Sequence, residues 1–564
     1  MEFCADFETN ATEADCRVWA WGVAAVTDSP ESTFEYGNDF AGWLAYARTH
    51  AGRYWFHNLA FDGRFVIWNL LDKGYKWVRE KPRANEFSTL ISKMGKFYSI
   101  VIGNEGGKIT LADSYKKIPM KVSAVAKAYK LDMAKGELDY DTVRPVGHVV
   151  TAEELDYLRR DVLIMAQAMN KRLDMGTKLT TGSDCLANFK ELIGKQQWGK
   201  YFPTINAIMD SEIRKAYRGG FVYANPKYKG KEVGKGFRLD VNSLYPWAMR
   251  DKLMPFGRPS RGTGEPKATE QYPLWVAEVQ FTAKLKPGKI PTLQMRNSSF
   301  YADREYIEET VEPVTLWVCS VDWALMNDMY DIEVYNWGGH YKFRGAHGIF
   351  DDYVDFGMEK KANATDPGER LNFKLWLNNL YGKFGQKMDC TGKKPVMDAE
   401  GVVHYVDDIP ETRDPVYIPV AVFVTAYARE KTVRAAAEFG DRFLYSDTDS
   451  IHALGSPSDI PADIEVHPKK LGAWKMEAEF TRAKFLRCKT YAEDVGGVVE
   501  YVCAGMSDGL KSVMRFEDFA PGFTTDERKG KVHPRYLDKK LWKLNPKNVR
   551  GGVILVPVPF TIAA

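Results

Sequence analysis

Two acidic pairs with the same spacing interrupt apolar, strand-like stretches near opposite ends of the chain: Asp6 and Glu8 in EFCADFETN, and Asp447 and Asp449 in FLYSDTDSIHA. A β-strand repeats every two residues, so each pair projects from one side of its strand or strand tip. Carboxylates left unpaired in such surroundings cost several kcal/mol of desolvation. A chain that carries them must compensate the charge, and a divalent cation held by oxygen ligands does so.

The other metal ligands point the same way. The seven cysteines are scattered without a CxxC pair, and the nine histidines form no HExxH or HxxxH pair. Thiolate zinc sites and a disulfide framework are therefore disfavoured, and carboxylate ligands suit Mg²⁺ or Mn²⁺. At 564 residues the chain is about four times a common ~150-residue domain, long enough for several cores. Lys and Arg total 78 against 75 Asp and Glu, a net +3, and 45% apolar content is globular. Bulk charge names no partner. The longest apolar run, Val416 to Ala428, is broken by Pro419 and falls short of the ~20 residues of a spanning helix, so it belongs to a core and no membrane is expected. The acidic N-terminus lacks the basic and apolar pattern of an export leader, which predicts a cytosolic protein.

From residue 1 to about 178, strand and helix patterns alternate in a compact α/β unit. RYWFHNLAFDGRFVIWNLL reads as strand, turn and helix, and FYSIVIGNEGGKITLADSY as a hairpin. AEELDYLRRDVLIMAQAMNKRL follows Thr151 with Glu154 three later, a capping box at a helix start. Turn residues in TTGSDCL suggest a boundary near 181, and the Gly- and Lys-rich stretch from Tyr217 to Gly236 reads as a connection between bodies. Near the other end, Arg528 to Arg550 holds nine basic residues against the single acid Asp538.

In the N-terminal unit, Tyr157 and Asp161 lie four apart on one helix face, and Asp62 sits at a helix start. Two-metal phosphodiester chemistry needs several carboxylates around two ions ~3.5–4 Å apart, and a tyrosine hydroxyl can orient the attacking water. A lone DxE is explained as well by a solvated strand end; DxE, then HNxxFD, then YxxxD within one unit is far more specific. In the second constellation, GFRLDVNSLYP is a strand carrying Asp240 into a turn at Ser243, and ERLNFKLWLNNLYGKFG is a helix with Arg370 and Lys374 on one face. Cations one helical turn apart suit a triphosphate, although a solvated face explains most such pairs.

The N-terminal motifs resemble those of the proofreading 3′–5′ exonucleases with a ribonuclease H-like (DnaQ-like) fold. The resemblance implies Asp6, Glu8 and Asp161 as metal ligands, Asp62 as a further member of the cluster and Tyr157 as water positioner. It implies Lys135 as an assisting lysine, and Thr9, His57, Asn58 and Phe61 as holders of a frayed primer strand. DxxSLYP, KxxxNxxYG and YxDTDS, with KTY downstream, resemble the palm and fingers motifs of family B DNA polymerases. YRGGF, TAYAR, CAGM and the closing FTI make the likeness strongest to the protein-primed replicative polymerases of small tailed bacteriophages. That likeness covers nearly the whole chain. It implies Asp240 and Asp449 as metal ligands of polymerisation, Asp447 as third acid, Tyr245 as a steric gate under the sugar and Tyr381 as a check on the nascent pair. Lys374, Arg370 and Lys361 would bind the triphosphate, with Lys360 a rival to Lys361. Lys489 and Tyr491 would hold the primer terminus, and Tyr217, Gly219 and Gly220 the template, with Ser243 also on the DNA.

The implied fold class is a multidomain α+β chain: an exonuclease domain over 1–181, then a palm over 182–251 and 412–511, a first insertion over 252–350, fingers over 351–387, a second insertion over 388–411 and a thumb over 512–564. The second insertion should be a hairpin about the turn Asp398 to Gly401. Two departures from the family pattern are a brief segment after KTY and a longer basic tail, so thumb contacts cannot be transferred there. The implied reaction is template-directed DNA synthesis with two Mg²⁺ per active site, Mn²⁺ substituting, and a separate proofreading site. The implied partners are DNA template and primer, deoxynucleoside triphosphates and a terminal protein as first primer, for a monomer that displaces strands and replicates a linear viral genome in the cytoplasm of an infected bacterium. One alternative is a family B polymerase of a mobile element that starts chains without a protein primer. Another is a non-catalytic DNA-binding scaffold with decayed sites, against which every expected carboxylate is present.

Overall fold

The structure is a computed structural model that describes residues 1–563 apart from 141, 143, 299, 303 and 304. Its N-terminal unit is an eight-stranded mixed sheet in the order Glu35–Gly37, Cys16–Ala25, Glu2–Ala11, Arg53–Phe56, Ile109–Asp113, Phe97–Ile102, Glu86–Ile91, Lys76–Trp77. The period of two in Glu2–Ala11 decides what meets what. Phe3, Ala5 and Phe7 pack with Trp43 and Phe65 from the helices Phe40–Thr49 and Leu59–Asp72 on one face. Cys4 points to the other, into a core with Trp55, Leu158 and Val162. Asp6 and Glu8 share that second face, which the helix Ala152–Leu173 covers. This helix opens with the expected capping box, Thr151 accepting from the Glu154 N–H while the Glu154 carboxylate accepts from the Thr151 N–H.

Two expectations from turn chemistry are corrected. Thr180 and Ser183 do not form a loop: Thr180 accepts from the Ser183 N–H and caps the helix Thr181–Tyr201, which kinks at Gly194, φ 76°. Residues that favour turns also favour N-caps, because both uses satisfy a free backbone N–H. The stretch from Tyr217 to Gly236 is likewise more than a connection, since it supplies strands Val222–Ala224 and Glu232–Val233 to two different sheets.

The second scaffold is an antiparallel sheet in the order Trp474–Phe480, Gly236–Val241, Ser450–Leu454, Phe443–Asp447, Val222–Ala224. Phe237, Leu239, Val241, Ile451 and Ala453 fill the core behind it, which leaves Arg238, Asp240, Ser450 and His452 on the opposite face. Behind that core runs Ile418–Glu438, a helix formed from the apolar run of the sequence and buried over most of its length. The helices Asp351–Asn363 and Pro367–Phe384 stand beside it. Between Gly236–Val241 and these helices in sequence, the strands Met254–Thr263, Tyr330–Ala346, Leu274–Leu285 and Val314–Cys319, in that order, form a separate four-stranded sheet.

Strands Lys393–Met397 and Val403–Asp407 make the anticipated hairpin, closed by Gly401 N–H donating to Asp398 O at 3.2 Å. It leans on the N-terminal unit, where Trp68 Nε1 donates to Gly401 O at 2.8 Å and Tyr405 packs edge-on against Phe97. It also meets the hairpin Lys543–Val549 and Gly552–Val558, since Asn548 Nδ2 donates to Val403 O at 2.8 Å.

Candidate active sites

In the N-terminal unit, Asp6, Glu8, Asp62 and Asp161 come close enough for their charges to act on one another. Burial, then the neighbouring Asp161, pushes Asp6 up to about 7. Burial followed by Asp6 holds both Glu8 and Asp62 well above the usual carboxylate range. Asp62 reaches the cluster because it sits in the first turn of Leu59–Asp72, a helix that opens at Asn58 in the left-handed region, φ 71°. Lys135 Nζ lies 2.5 Å from Asp161 Oδ2 and 5.1 Å from the centre of the Tyr157 ring. The other Asp161 oxygen, Oδ1, is buried without a hydrogen-bond partner.

The residues flanking these motifs divide in their surroundings. His57 is committed to the protein, Nδ1 at 2.9 Å from Ser114 Oγ and Nε2 at 2.7 Å from Met120 O, so only its ring faces remain for a ligand. The Asn58 backbone N–H donates to Asp113 Oδ1 at 3.1 Å, and Phe61 packs on Phe65. Thr9 follows a bulge between Glu8 and Thr9 that breaks the register with Cys16–Ala25. Sequence reasoning missed Tyr140, whose hydroxyl lies 2.8 Å from that of Tyr157. It follows Lys135 in KGELDY with no periodic signal to single it out.

In the second site, Asp240 and Asp449 meet because Gly236–Val241 pairs antiparallel with Ser450–Leu454, and Val241 N–H donates to Asp449 O at 2.8 Å. Asp449 and Thr448, φ 66°, form the two-residue turn of the hairpin. Burial, then Asp449 and Glu477, pushes Asp240 up to about 7, and burial also raises Asp449. Asp447 is placed differently: both its oxygens accept from Lys489 Nζ at 2.8 Å. Gly220 lies so close to this turn that a Cβ there would sit 2.7 Å from Thr448 Oγ1, whereas Gly219 has nothing within 4 Å. A Cβ on Gly385 would in turn sit 2.7 Å from the Tyr217 hydroxyl.

Cations gather opposite the carboxylates. Lys361 Nζ lies 3.0 Å from Ser243 Oγ, and Arg370 Nη1 lies 3.4 Å from Lys361 O. Burial, then Arg370 and Lys374, lowers Lys361 to about 8. Lys360 points instead over the ring of Phe356. Ser243, φ 55°, opens the helix Leu244–Asp251 and so puts Tyr245 in its first turn, stacked on Tyr381. Tyr491 packs at 5.0 Å from Tyr445. Glu477 and Lys475 were also missed; both lie on Trp474–Phe480, the edge strand next to Asp240.

The donor sets fit divalent cations in an open form. Among the described residues no three His, Cys, Asp or Glu side chains close an ion cage by themselves. Each site instead offers mutually repelling carboxylates, mostly buried in the first and half-buried in the second, and the first adds the orphaned Asp161 Oδ1. Mg²⁺ is commonly bound in this way, by one or two carboxylates plus substrate phosphate and water.

The sequence pattern of the family described as "DNA polymerase type B, organellar and viral" matches residues 46–152 and 142–460. The DNA polymerases of Bacillus phages M2 and phi29 are each 39% identical, over 99% of this chain and 99% and 98% of their own length. That of Streptococcus phage Cp-1 is 28% identical over 99% of this chain and 98% of its own. Among solved structures, phi29 DNA polymerase complexed with primer-template DNA and incoming nucleotide substrates superposes with a TM-score of 0.92 at 38% identity, covering 100% of this chain and 99% of that one. The same polymerase with single-stranded DNA gives 0.89 at 37% identity over the same coverage. The chain is thus homologous to phage family B DNA polymerases from end to end, and it belongs to the type B, organellar and viral, family of DNA polymerases.

Proposed function

We propose that the protein is a DNA-directed DNA polymerase with a separate 3′–5′ exonuclease site, and that it starts new chains on the side chain of a terminal protein. The observation that carries the reading is the approach of Asp240, on Gly236–Val241, to Asp449, in the turn that leads into the neighbouring strand Ser450–Leu454, faced by Lys361, Arg370 and Lys374. In this reading the sheet bearing Asp240 is the palm, the helices Asp351–Asn363 and Pro367–Phe384 are the fingers, the region beyond 511 is the thumb, and the eight-stranded unit is the exonuclease domain. The stretches 252–350 and 388–411 are the two insertions.

For polymerisation, Asp240 and Asp449 would hold two Mg²⁺, which supply Lewis-acid polarisation of the phosphoryl oxygens and neutralise developing charge when bound. The chain's own groups do the rest. Lys361, Arg370 and Lys374 draw in the triphosphate and stabilise the charge that passes to pyrophosphate as the primer hydroxyl attacks the α-phosphate in line. Tyr245 and Tyr381 form a platform against the incoming sugar and base. Lys489, tied to Asp447, and Tyr491 hold the primer end. For exonucleolysis, Asp6, Glu8 and Asp161 would hold the ions, with Asp62 completing the cluster. The Tyr157 hydroxyl, braced by Tyr140, orients the water, and Lys135 offsets the negative charge at Asp161. Strand displacement is assigned to the hairpin Lys393–Met397 and Val403–Asp407, which touches both the N-terminal unit and the last hairpin. The setting is the cytoplasm of a phage-infected bacterium; among the described residues no helix is long and apolar enough to cross a membrane.

The test is extension of a primed single-stranded DNA with Mg²⁺, with and without nucleotides. Nucleotides should yield extension and their omission should yield shortening of the primer. Absence of extension by the folded protein refutes the polymerase reading. Synthesis on unprimed template without a terminal protein would instead favour the primer-independent polymerases of mobile elements.

A further inference from the structure

One charged group in the catalytic sheet has no part in the chemistry above. Arg238 stands two residues before Asp240 on the same strand, hence on the same face, with its guanidinium largely covered. A cation in a strand whose alternate residues are Phe237, Leu239 and Val241 must be held by acids, and three carboxylates from three other strands surround it. Arg238 Nη1 lies 2.7 Å from Glu493 Oε2, Nε 3.3 Å from Glu477 Oε2, and Nη2 3.4 Å from Glu500 Oε2. The second Glu493 oxygen lies 2.6 Å from His452 Nδ1, and both Glu493 and His452 are fully buried.

The placement of these partners is what gives the cluster a meaning. Glu493 follows Tyr491 by two residues on Thr490–Val495, so the two share a face, and the His452 ring lies 5.1 Å from Tyr491. Glu477 is the extra residue of a bulge in Trp474–Phe480: Arg238 pairs with Ala478 and Leu239 with Met476, so Glu477 has no opposite number. Bulges re-aim a side chain beside an active site, and here the bulged carboxylate faces Arg238 while its charge acts on both Asp240 and Asp449. A single guanidinium therefore ties the strand of Asp240, the strand of Tyr491 and the bulge beside the carboxylates.

We propose that Arg238 is a positioning residue for DNA synthesis: through Glu493 and Glu477 it fixes the strand bearing Tyr491 against the strand bearing Asp240, and so sets where the primer hydroxyl stands relative to the reacting phosphate. The inference rests on the polymerase reading and extends it to a residue whose guanidinium is taken up by protein carboxylates. A planar fork suits the task because Nη1 and Nη2 donate to Glu493 and Glu500 in fixed directions while Nε, which makes no hydrogen bond, keeps its ion-pair distance to Glu477, and a lysine ammonium offers no such fork.

The test compares Arg238→Met, Arg238→Lys and the double variant Arg238→Met with Glu493→Gln, in which the uncompensated buried acid is also removed. Single-turnover addition of one nucleotide should fall about 10- to 100-fold in Arg238→Met, as expected for a misplaced nucleophile. The concentration dependence on deoxynucleotide and the rate of degrading single-stranded DNA should stay near wild type. Arg238→Lys should recover only part of the rate. The double variant should regain thermal stability without regaining rate, which separates positioning from mere charge balance. Wild-type rate in Arg238→Met, recovery of rate together with stability in the double variant, or an equal fall in the exonuclease rate would each overturn the assignment. Failure of the wild-type protein itself to extend a primer would be a failure of the polymerase reading instead.

Discussion

The rings of Tyr245 and Tyr381 stack with centroids 4.0 Å apart at 29°. Tyr245 comes from the first turn of Leu244–Asp251 and Tyr381 from the last turns of Pro367–Phe384, so two separate elements build one aromatic wall two residues beyond Ser243, where Lys361 sits. A ring held on its face cannot swing aside for a 2′-hydroxyl, the group that distinguishes ribonucleotides. Tyr245→Val should raise ribonucleotide incorporation by orders of magnitude while deoxynucleotide use changes little. Tyr381→Val, which frees the Tyr245 ring, should give a weaker loss of the same discrimination. Unaltered selectivity in the Tyr245 variant, measured as the ratio of incorporation efficiencies, would remove the gate.

The two carboxylate clusters stand on different sheets. Asp6→Ala with Glu8→Ala should therefore abolish degradation of single-stranded DNA and leave extension largely intact, and Asp449→Ala should do the reverse. Loss of both activities from either change in a folded protein would contradict their independence.

Lys361 is lowered to about 8, by burial and then by Arg370 and Lys374. A lysine is charged below its pKa and neutral above it, so if Lys361 binds the triphosphate as proposed, the free enzyme loses one of its cations as the pH passes 8. The KM for deoxynucleotide should rise between pH 7 and 9. In Lys361→Arg, whose guanidinium stays charged, that rise should be much smaller. Parallel pH profiles for the two proteins would show that Lys361 does not face the nucleotide.

The hairpin Lys393–Met397 and Val403–Asp407 touches Trp68 on one side and Asn548 on the other. An isolated hairpin is only marginally stable, so these contacts hold it in place. Replacing residues 395–406 by a short Gly linker should leave addition of one nucleotide on an open template near normal. Under a trap against rebinding, product length should collapse, and extension into a downstream duplex should stall. Long displacement synthesis by the deleted enzyme under the trap would move the clamp elsewhere.

Lys539, Lys540 and Lys543 lie exposed in the basic stretch that leads into the last hairpin. If they neutralise duplex phosphates, changing all three to Gln should weaken DNA binding and flatten its salt dependence, the slope falling by about 0.9 for each phosphate no longer neutralised. An unchanged slope would identify a solvated charge run.

Local patterns in the sequence went a long way. The DxE and YxxxD spacings put Asp6 with Glu8, and Tyr157 with Asp161, on shared faces because strand and helix periods are intrinsic to the backbone, and the capping box marked the start of the Ala152–Leu173 helix for the same local reason. The hairpin at 393–407 was legible from its alternation and turn. Residues with two local uses were misread: Thr180 caps a helix that contains Ser183, and the stretch after Tyr217 pairs into sheets, because only distant partners choose between the options. The same limit hid Tyr140, Glu477 and Arg238. Tyr140 matters through a hydroxyl on another element, Glu477 through a bulge in register, and Arg238 through acids that follow it by more than two hundred residues. Which of Lys360 and Lys361 lies against Ser243 was likewise open in the sequence. It turns on which lysine the helix Asp351–Asn363 aims at Ser243, and tertiary packing sets that direction. Period and spacing act within a few residues, so they determine which side chains share a face, whereas pairing across the chain decides which faces meet.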